Sequence, residues 1–371
     1  MASLFWNTVG TPAQSTITDT EFFSFTTDGQ PISRAELSRE IMKKVFPETM
    51  FRQYVGKITD FGAGKSDHIL LVKKQTRDDT ITWTQGIGEF DPLPNATMSY
   101  TRFDIGVDER GVRFPFTERA KLFSNFDIEA EIKEQAANTI KVSIERDLLM
   151  NAFVYLDILG ICDNTTPGKV NAIIGKSLAP DKAFGTHSQN IIIKQVAYDD
   201  TNKTIDGNAI GNLSMESVLN FATILSQNYT PSYRNGGFGN YLVIMNEQAR
   251  NRLLQDPIFF TAVSRNQDAE RLYSGYIGTF YGQDFVLDKS KMIDTYITAL
   301  RPAVLQGKAI CIFLSKDAVK EVIAKPEQIL PLDKADSGRY MSYAVHTYRG
   351  ESPIWFASVD GQGAGGILVG A

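Results

Sequence analysis

The chain has 371 residues, 43% of them hydrophobic, 22% charged and 11% aromatic, which is ordinary globular composition and excludes a disordered or fibrous protein. Its 38 Lys and Arg against 43 Asp and Glu leave a net charge of −5, so no basic field exists to drive sequence-independent binding to DNA or to an anionic membrane. Cys162 and Cys311 lie far apart, make neither a disulfide framework nor a thiolate metal site, and are expected as small core residues.

Met1 to Thr20 is rich in Ser and Thr and lacks the basic and apolar regions of a secretory signal. The isolated aromatics Phe5, Trp6, Phe22, Phe23 and Phe25 make no core of their own and suggest an arm that seeks another surface. Ser33 and Glu36 have capping-box spacing ahead of Leu37, Ile41 and Met42, so a short helix is expected there, ended by Pro47. From His68 to about Glu118 strand signals (Ile69 to Val72, Thr80 to Thr84, Met98 to Val107, Val112 to Phe116) alternate with charged or Gly/Pro turns. Few of these strands have a clean apolar face. A long hairpin that buries little in its own subunit satisfies the pattern, and such a hairpin gains stability by lying on a neighbour.

The strongest signal is a helix from about Asn125 to Phe153, with no Gly or Pro inside it. Ser124, Asn125 or Asp127 can cap it, and Asp127, Glu129 and Glu131 suit the positive end of its dipole. Ile128, Ile132, Ala136, Ile140, Ile144 and Leu148 recur every fourth residue, an apolar stripe that winds slowly around the helix and marks it as a spine crossing several partners. Asp127, Glu131, Glu134, Lys141 and Glu145 are expected on the wet face.

Beyond it, Asp163 to Asp206 is loop and strand, with Ile191 to Ile193 as one short strand. Asn212 to Gln227 is a second amphipathic helix introduced by Ser214; Tyr241 to Met245 is a buried strand; Asn246 to Gln255 is a helix stopped by Asp256 and Pro257. Gly275 to Leu287 is a hairpin through Tyr281 and Gly282, and Ile310 to Leu314, Ala318 to Ile323 and Tyr340 to Tyr348 are later strands. Helices and strands mix without βαβ alternation, so the class is α+β.

Catalytic signatures fail on inspection. Gly64-Lys65-Ser66 ends like a phosphate loop, but Thr59 stands where that motif needs its first Gly. Gly361, Gly363 and Gly366 fit a dinucleotide fingerprint, yet five residues remain for a helix that needs many more, so a flexible or draped terminus is expected. His68, His187 and His346 lack ligand spacing, no nucleophile elbow is present, and Asp78-Asp79 and Asp108-Glu109 sit in turns. No cofactor or metal is expected, and no apolar run approaches the roughly 20 residues of a membrane span.

Gly88 to Pro94, the strand through Arg113-Phe114-Pro115-Phe116-Thr117-Glu118, the long helix with Glu145-Arg146-Asp147, Asn240 to Asn246, Arg252 to Pro257 and Gly275 to Phe285 together resemble the major capsid proteins of tailed bacteriophages. The likeness is greatest to the coat proteins of N-four-like podoviruses and covers roughly residues 50 to 350. It implies a Hong Kong 97-like capsid fold: N-terminal arm and lead-in over 1–65, extended β-hairpin loop over 66–118, peripheral domain over 119–210 with the spine helix at 125–153, axial domain over 211–309, and return strands and C-terminal tail over 310–371.

The function implied is self-assembly into hexamers and pentamers of an icosahedral shell around double-stranded DNA, in the virion, after synthesis in the host bacterial cytoplasm. No long charged helical stretch precedes the arm, so a separate scaffolding protein is expected, with a portal and a decoration protein as further partners. DNA contact would be weak and non-specific, through inward lysines such as Lys133 or Lys141. No Lys–Asn pair for crosslinking between subunits is identifiable. Arg77, Asp78, Asp79, Trp83, Glu89 and Phe90 are expected as inter-subunit contacts, Arg113, Glu118 and Arg119 as a charged hinge between loop and domain, and Arg234, Asn235, Gly236 and Gly237 as a loop near the capsomer axis. Another phage structural protein (decoration or tail component), an encapsulin-like compartment shell and an enzyme of unrecognised type stay open as alternatives.

Overall fold

The computed structural model describes residues 26–27, 30–31, 50–59, 68–73, 101–124, 127–174, 178, 210–234, 239–260, 276–300, 305–335 and 339–371. The capping-box helix after Ser33, the strands at Thr80 to Thr84 and Ile191 to Ile193, and the turn at Gly64 to Ser66 lie outside them. Two compact units divide the chain: a smaller one of Met1–Val45, Gly111–Ile140 and Glu327–His346, and a larger one of Phe46–Arg110, Lys141–Pro326 and Thr347–Ala371.

In chain order the strands are β1 (Thr26–Thr27), β2 (Gln30–Pro31), β3 (Gly56–Ile58), β4 (His68–Lys73), β5 (Thr101–Gly106), β6 (Asp108–Thr117), β7 (Ile158–Cys162), β8 (Val170–Ile174), β9 (Leu242–Met245), β10 (Tyr276–Phe280), β11 (Gln283–Leu287), β12 (Ala309–Leu314), β13 (Val319–Ala335), β14 (Tyr340–Pro353) and β15 (Gly365–Gly370). Among the described residues the α-helices include α1 (Glu118–Phe123), α2 (Ile128–Asn151), α3 (Met215–Gln227), α4 (Glu247–Gln255) and α5 (Ala357–Asp360). The class is α+β.

The core of the larger unit is a seven-stranded mixed sheet in the order β10-β11-β9-β12-β15-β7-β8. Every residue of β9, β12 and β15 is buried, which accounts for their continuous apolar runs: both faces are covered. Helix α3 starts where the Ser214 side chain accepts the Ser217 N–H, and lays Met215, Val218, Phe221, Ala222 and Leu225 into the core. Asn246 caps α4 with its Oδ1, which also accepts the Ile310 N–H, while its Nδ2 donates to Asp294 and to the Lys308 carbonyl. One buried amide thereby joins helix, strand and loop with every bond satisfied. The β10–β11 turn places Tyr281 and Gly282 at φ 50° and 81°, the left-handed pair of a tight hairpin.

The C-terminal glycines are the clearest departure from expectation. Far from draping, β15 runs in the middle of the sheet, antiparallel to β12 and parallel to β7. The Phe221 ring explains the composition: a Cβ on Gly160 of β7 would stand 2.6 Å from it and one on Gly366 2.8 Å from it. The ring needs a bare backbone floor, so Gly appears where sequence periodicity reads as a loose tail.

The spine helix is shorter than its apolar pattern, 24 residues or about 36 Å. Asp127 caps it, accepting the Glu129 and Ala130 N–H groups at 3.1 and 3.3 Å, and a 3-10 turn, Phe153–Tyr155, follows its end. Ile128, Ile132, Ala136, Ile144 and Leu148 of the expected stripe are buried. In the smaller unit Ile128 and Ile132 meet Phe116, Ala120, Met341 and Tyr343, with Phe116 and Tyr343 stacked at 6.0 Å. Glu145, expected on the wet face, is buried, because the lead-in chain crosses the helix there.

A second sheet has the order β3-β13-β14-β6, and β4 pairs with β5 in the register His68↔Gly106 to Lys73↔Thr101. The expected hairpin is therefore present at its base, but that base does bury surface at home. Ile69, Leu71, Phe103 and Ile105 pack on Val322 and Phe356, while Leu70 and Val72 on the other face are exposed. The apolar residues alternate with the period of a strand, one face in and one face out.

Candidate functional site: buried charge and the hairpin base

The 3-10 turn Phe51–Tyr54 presents two backbone donors to the helix below it. The Phe51 N–H donates to Glu145 Oε2 at 2.6 Å and the Arg52 N–H to Oε1 at 3.2 Å. Burial pushes the Glu145 carboxyl above its ordinary range, and the two N–H donors act against that rise.

Beside it runs a chain of alternating charge within the larger unit. Arg52 Nε pairs with Glu321 Oε2 on β13 at 3.1 Å, and the other oxygen of Glu321 meets Arg349 of β14. Arg349 Nε reaches Glu351 at 3.0 Å; Glu351 receives both terminal nitrogens of Arg110 at 2.9 Å; and Arg110 also holds Asp147 on α2 at 3.0 Å. Three guanidiniums thus face three carboxylates. Arg349 is 1% exposed, and such deep burial of a guanidinium is tolerable only with charged partners on both sides. The network fixes where lead-in, β6, β13, β14 and the spine helix meet. Sequence reasoning missed all of it except the segment containing Asp147. The available signal was Glu321 among Val319, Val322, Ile323 and Ala324, and Arg349 and Glu351 two apart on one strand face.

At the hairpin base Lys73 is buried and donates to Asp360 Oδ2 at 2.8 Å. Its Nζ lies 4.3 Å from the Phe103 ring centroid and 5.4 Å from those of Trp355 and Phe356. Sequence reasoning missed this cluster as well.

Of the expected contact residues, Arg77, Asp78, Asp79, Trp83, Glu89 and Phe90 lie outside the described residues, as do Asn235, Gly236 and Gly237. The three residues expected as a hinge, Arg113, Glu118 and Arg119, all fall in the smaller unit. Arg113 Nε donates to Ser342 Oγ at 2.8 Å, the Glu118 N–H donates to the Arg339 carbonyl at 3.0 Å, and Arg119 is exposed on α1. Thr117 caps that helix through the Ala120 N–H. Two apolar side chains at its end, Leu122 and Phe123, are 69% and 60% exposed.

Arg234 is anchored by Asp284 at 2.7 Å, and Asp284 also accepts from Thr279. Ser232 donates to the Arg234 and Asn240 carbonyls, and Gln283 donates to the Gly239 carbonyl, so both ends of the 234–239 loop are tied down on the β10–β11 hairpin. Tyr54, near Tyr233 and Asp284, has its hydroxyl pushed up to about 12, first by burial and then by those two charges.

Both cysteines are buried and free; burial pushes the Cys162 thiol up to about 11 and that of Cys311 higher still, so neither is a nucleophile. Among the described residues no group of His, Cys, Asp and Glu could hold a metal ion, and no helix is long and apolar enough to cross a membrane.

No family model matches the chain, and no curated protein matches it. Solved structures do. The chain is similar to the capsid of cyanophage Pam1 at 14% identity and a TM-score of 0.63, covering 93% of this chain and 98% of that one. It is similar to the head of Helicobacter pylori bacteriophage KHP40 (12%, TM-score 0.58, 91% and 94% covered) and to the capsid of cyanophage P-SCSP1u (12%, TM-score 0.56, 92% and 95% covered). At such identities the likeness is one of fold. The chain has the Hong Kong 97-like fold of phage capsid subunits, over nearly its whole length.

Proposed function

We propose that the protein is a major capsid protein that self-assembles into hexamers and pentamers and closes an icosahedral head around double-stranded phage DNA. The observation that carries this reading is the match of 93% of the chain to 98% of the Pam1 capsid chain, which leaves no large part of either unaccounted for. Its role is structural, not catalytic. Closed shells multiply modest contacts between copies, so each interface can be weak on its own.

Within that reading the finer assignments are ours. The chain belongs with the N-four-like podovirus coat proteins; 66–118 is the extended loop, 119–210 the peripheral domain and 211–309 the axial domain. Arg77, Asp78, Asp79, Trp83, Glu89 and Phe90 contact a neighbouring copy, Arg113, Glu118 and Arg119 form the hinge, and the loop of Arg234 to Gly237 approaches the capsomer axis. A separate scaffolding protein, a portal and a decoration protein are its partners, assembly takes place in the host cytoplasm, and the net charge of −5 keeps contact with packaged DNA weak.

The test is an assembly assay by sedimentation on the wild type and on Arg77→Ala combined with Glu89→Ala. The wild type sediments as shells or rings; the double variant stays at 41.2 kDa with an unchanged circular dichroism spectrum. Loss of the fold in that variant, or assembly equal to wild type, removes these residues from the interface.

A further inference from the structure

Strand β4 reads His68-Ile69-Leu70-Leu71-Val72-Lys73, four apolar residues in a row between two polar ones. Ile69 and Leu71 pack inward on Phe103, Ile105, Val322 and Phe356, while Leu70 and Val72 face out and are exposed. The two faces are equally apolar. A slip of one residue along β5 would bury Leu70 and Val72 and turn out Ile69 and Leu71, with little change in the apolar surface removed from water. Hydrophobic patterning, which sets register in a strand with one buried face, therefore does not choose between the two alignments. Strand β5 has no such ambiguity, because its inward Phe103 and Ile105 alternate with Arg102 and Asp104.

Lys73 breaks the symmetry. It holds the third inward position of β4 and is more deeply buried than Ile69 or Leu71. Its Nζ donates to Asp360 Oδ2 at 2.8 Å, with the rings of Phe103, Trp355 and Phe356 around it. Asp360 is itself held in place, since the same oxygen accepts the Phe356 N–H at 3.0 Å. A slip of one residue would swing Lys73 out to water and leave the buried Asp360 carboxylate without this cation, one of the costliest errors a core can hold.

We propose that the Lys73–Asp360 pair is a register lock: it selects one alignment of β4 on β5 and so fixes the point from which residues 74–100 leave the larger unit. The pair specifies structure more than it stabilises it. Burial pushes the Lys73 amine below its ordinary value in spite of Asp360, so the loss of water around the ammonium outweighs its attraction to the carboxylate. The lock is a property of the single chain. Its consequence for assembly rests on the capsid reading, in which Arg77 to Phe90, on the segment that this register aims, meet a neighbouring copy.

The test is cysteine cross-linking across the hairpin base of the full-length chain, with the native pair present and with Lys73→Met plus Asp360→Asn. Methionine fills the space between the rings, and asparagine keeps an acceptor for the Phe356 N–H. Leu70→Cys with Asp104→Cys reports the native register, in which the two residues stand directly opposite. Ile69→Cys or Leu71→Cys with Asp104→Cys joins an inward to an outward position in that register, and reports a slip of one residue in either direction. With Lys73 and Asp360 in place, mild oxidation is expected to link the 70/104 pair alone. With methionine and asparagine the slipped pairs are expected to link as well, at a urea midpoint no lower than that of the wild type, and the yield of sedimenting assemblies is expected to fall several-fold. Cross-links confined to the 70/104 pair in the uncharged variant overturn the proposal. So does a fall in its urea midpoint or a failure to fold, either of which makes the pair a source of stability. A wild type that never assembles counts against the capsid reading alone, and the cross-links still decide the lock.

Discussion

Glu145 on the spine helix accepts the Phe51 N–H at 2.6 Å across 94 positions of sequence. The contact ties the 3-10 turn Phe51–Tyr54 to the C-terminal half of α2, and it does so with a carboxylate that water barely reaches. Glu145→Ala leaves two backbone donors without their acceptor and is expected to cost about 2–4 kcal/mol in urea unfolding.

The same residue gives a pH signature. Its folded value lies above the ordinary 4.5, so the folded state holds the proton more tightly than the unfolded chain does. The stability it contributes is full below the unfolded value and is lost as pH rises through the folded one. Glu145→Gln keeps the shape and one acceptor but cannot ionise. Measured against this variant, the wild type is expected to lose stability as pH rises from about 4.5 through the folded value, then to level off.

Arg349 sits between Glu321 and Glu351 with both faces of its charge used. Arg349→Ala takes the shared partner from two buried carboxylates, leaving Glu321 with Arg52 and Glu351 with Arg110, and is expected to destabilise the larger unit by about 3 kcal/mol. Adding Glu321→Gln and Glu351→Gln to that variant removes the negative charge facing the gap and is expected to recover part of the loss. Urea midpoints of the three proteins check the order.

Two glycines separate packing from backbone strain. A Cβ on Gly365 would fall inside the Phe313 carbonyl of the neighbouring strand, whereas one on Gly361 meets nothing and faces only a φ of 67°. Gly361→Ala is expected to cost about 1–2 kcal/mol, the ordinary penalty of a left-handed L-residue. Gly365→Ala has no room without parting β12 from β15, and should lower soluble yield sharply while Gly361→Ala does not.

These glycines also show where the sequence stops being readable. Helices α2, α3 and α4 were legible because cap residues and apolar spacing are local properties, and Asp127, Ser214 and Asn246 cap as their positions suggest. The β10–β11 hairpin was legible for the same reason. Strand β15 was not, since the need for Gly366 comes from the Ile158 carbonyl of the neighbouring strand and a ring at position 221. Nor was the charge network, whose members Arg52, Arg110, Glu321 and Arg349 are separated by up to 269 positions in a single pair. Glu145 misled because helical periodicity places it opposite the apolar stripe, and only the crossing of a distant segment buries it. Arg113 was legible as part of a strand, but nothing local pointed to Ser342 as its partner.

Leu122 and Phe123 are more than half exposed at the end of α1, an apolar edge of the kind that interfaces cover. Leu122→Asp with Phe123→Asp is expected to change unfolding free energy by less than about 0.5 kcal/mol, as surface substitutions do. In the sedimentation assay the same variant should assemble less than wild type. Equal assembly would place this edge outside the subunit contacts.

The most direct measurement is electron microscopy of the purified chain, alone and with candidate scaffolding proteins, beside a sedimentation run on the same samples. Closed shells, or rings of five and six copies, are the expected products. A 41.2 kDa monomer in every one of those conditions would contradict the capsid function.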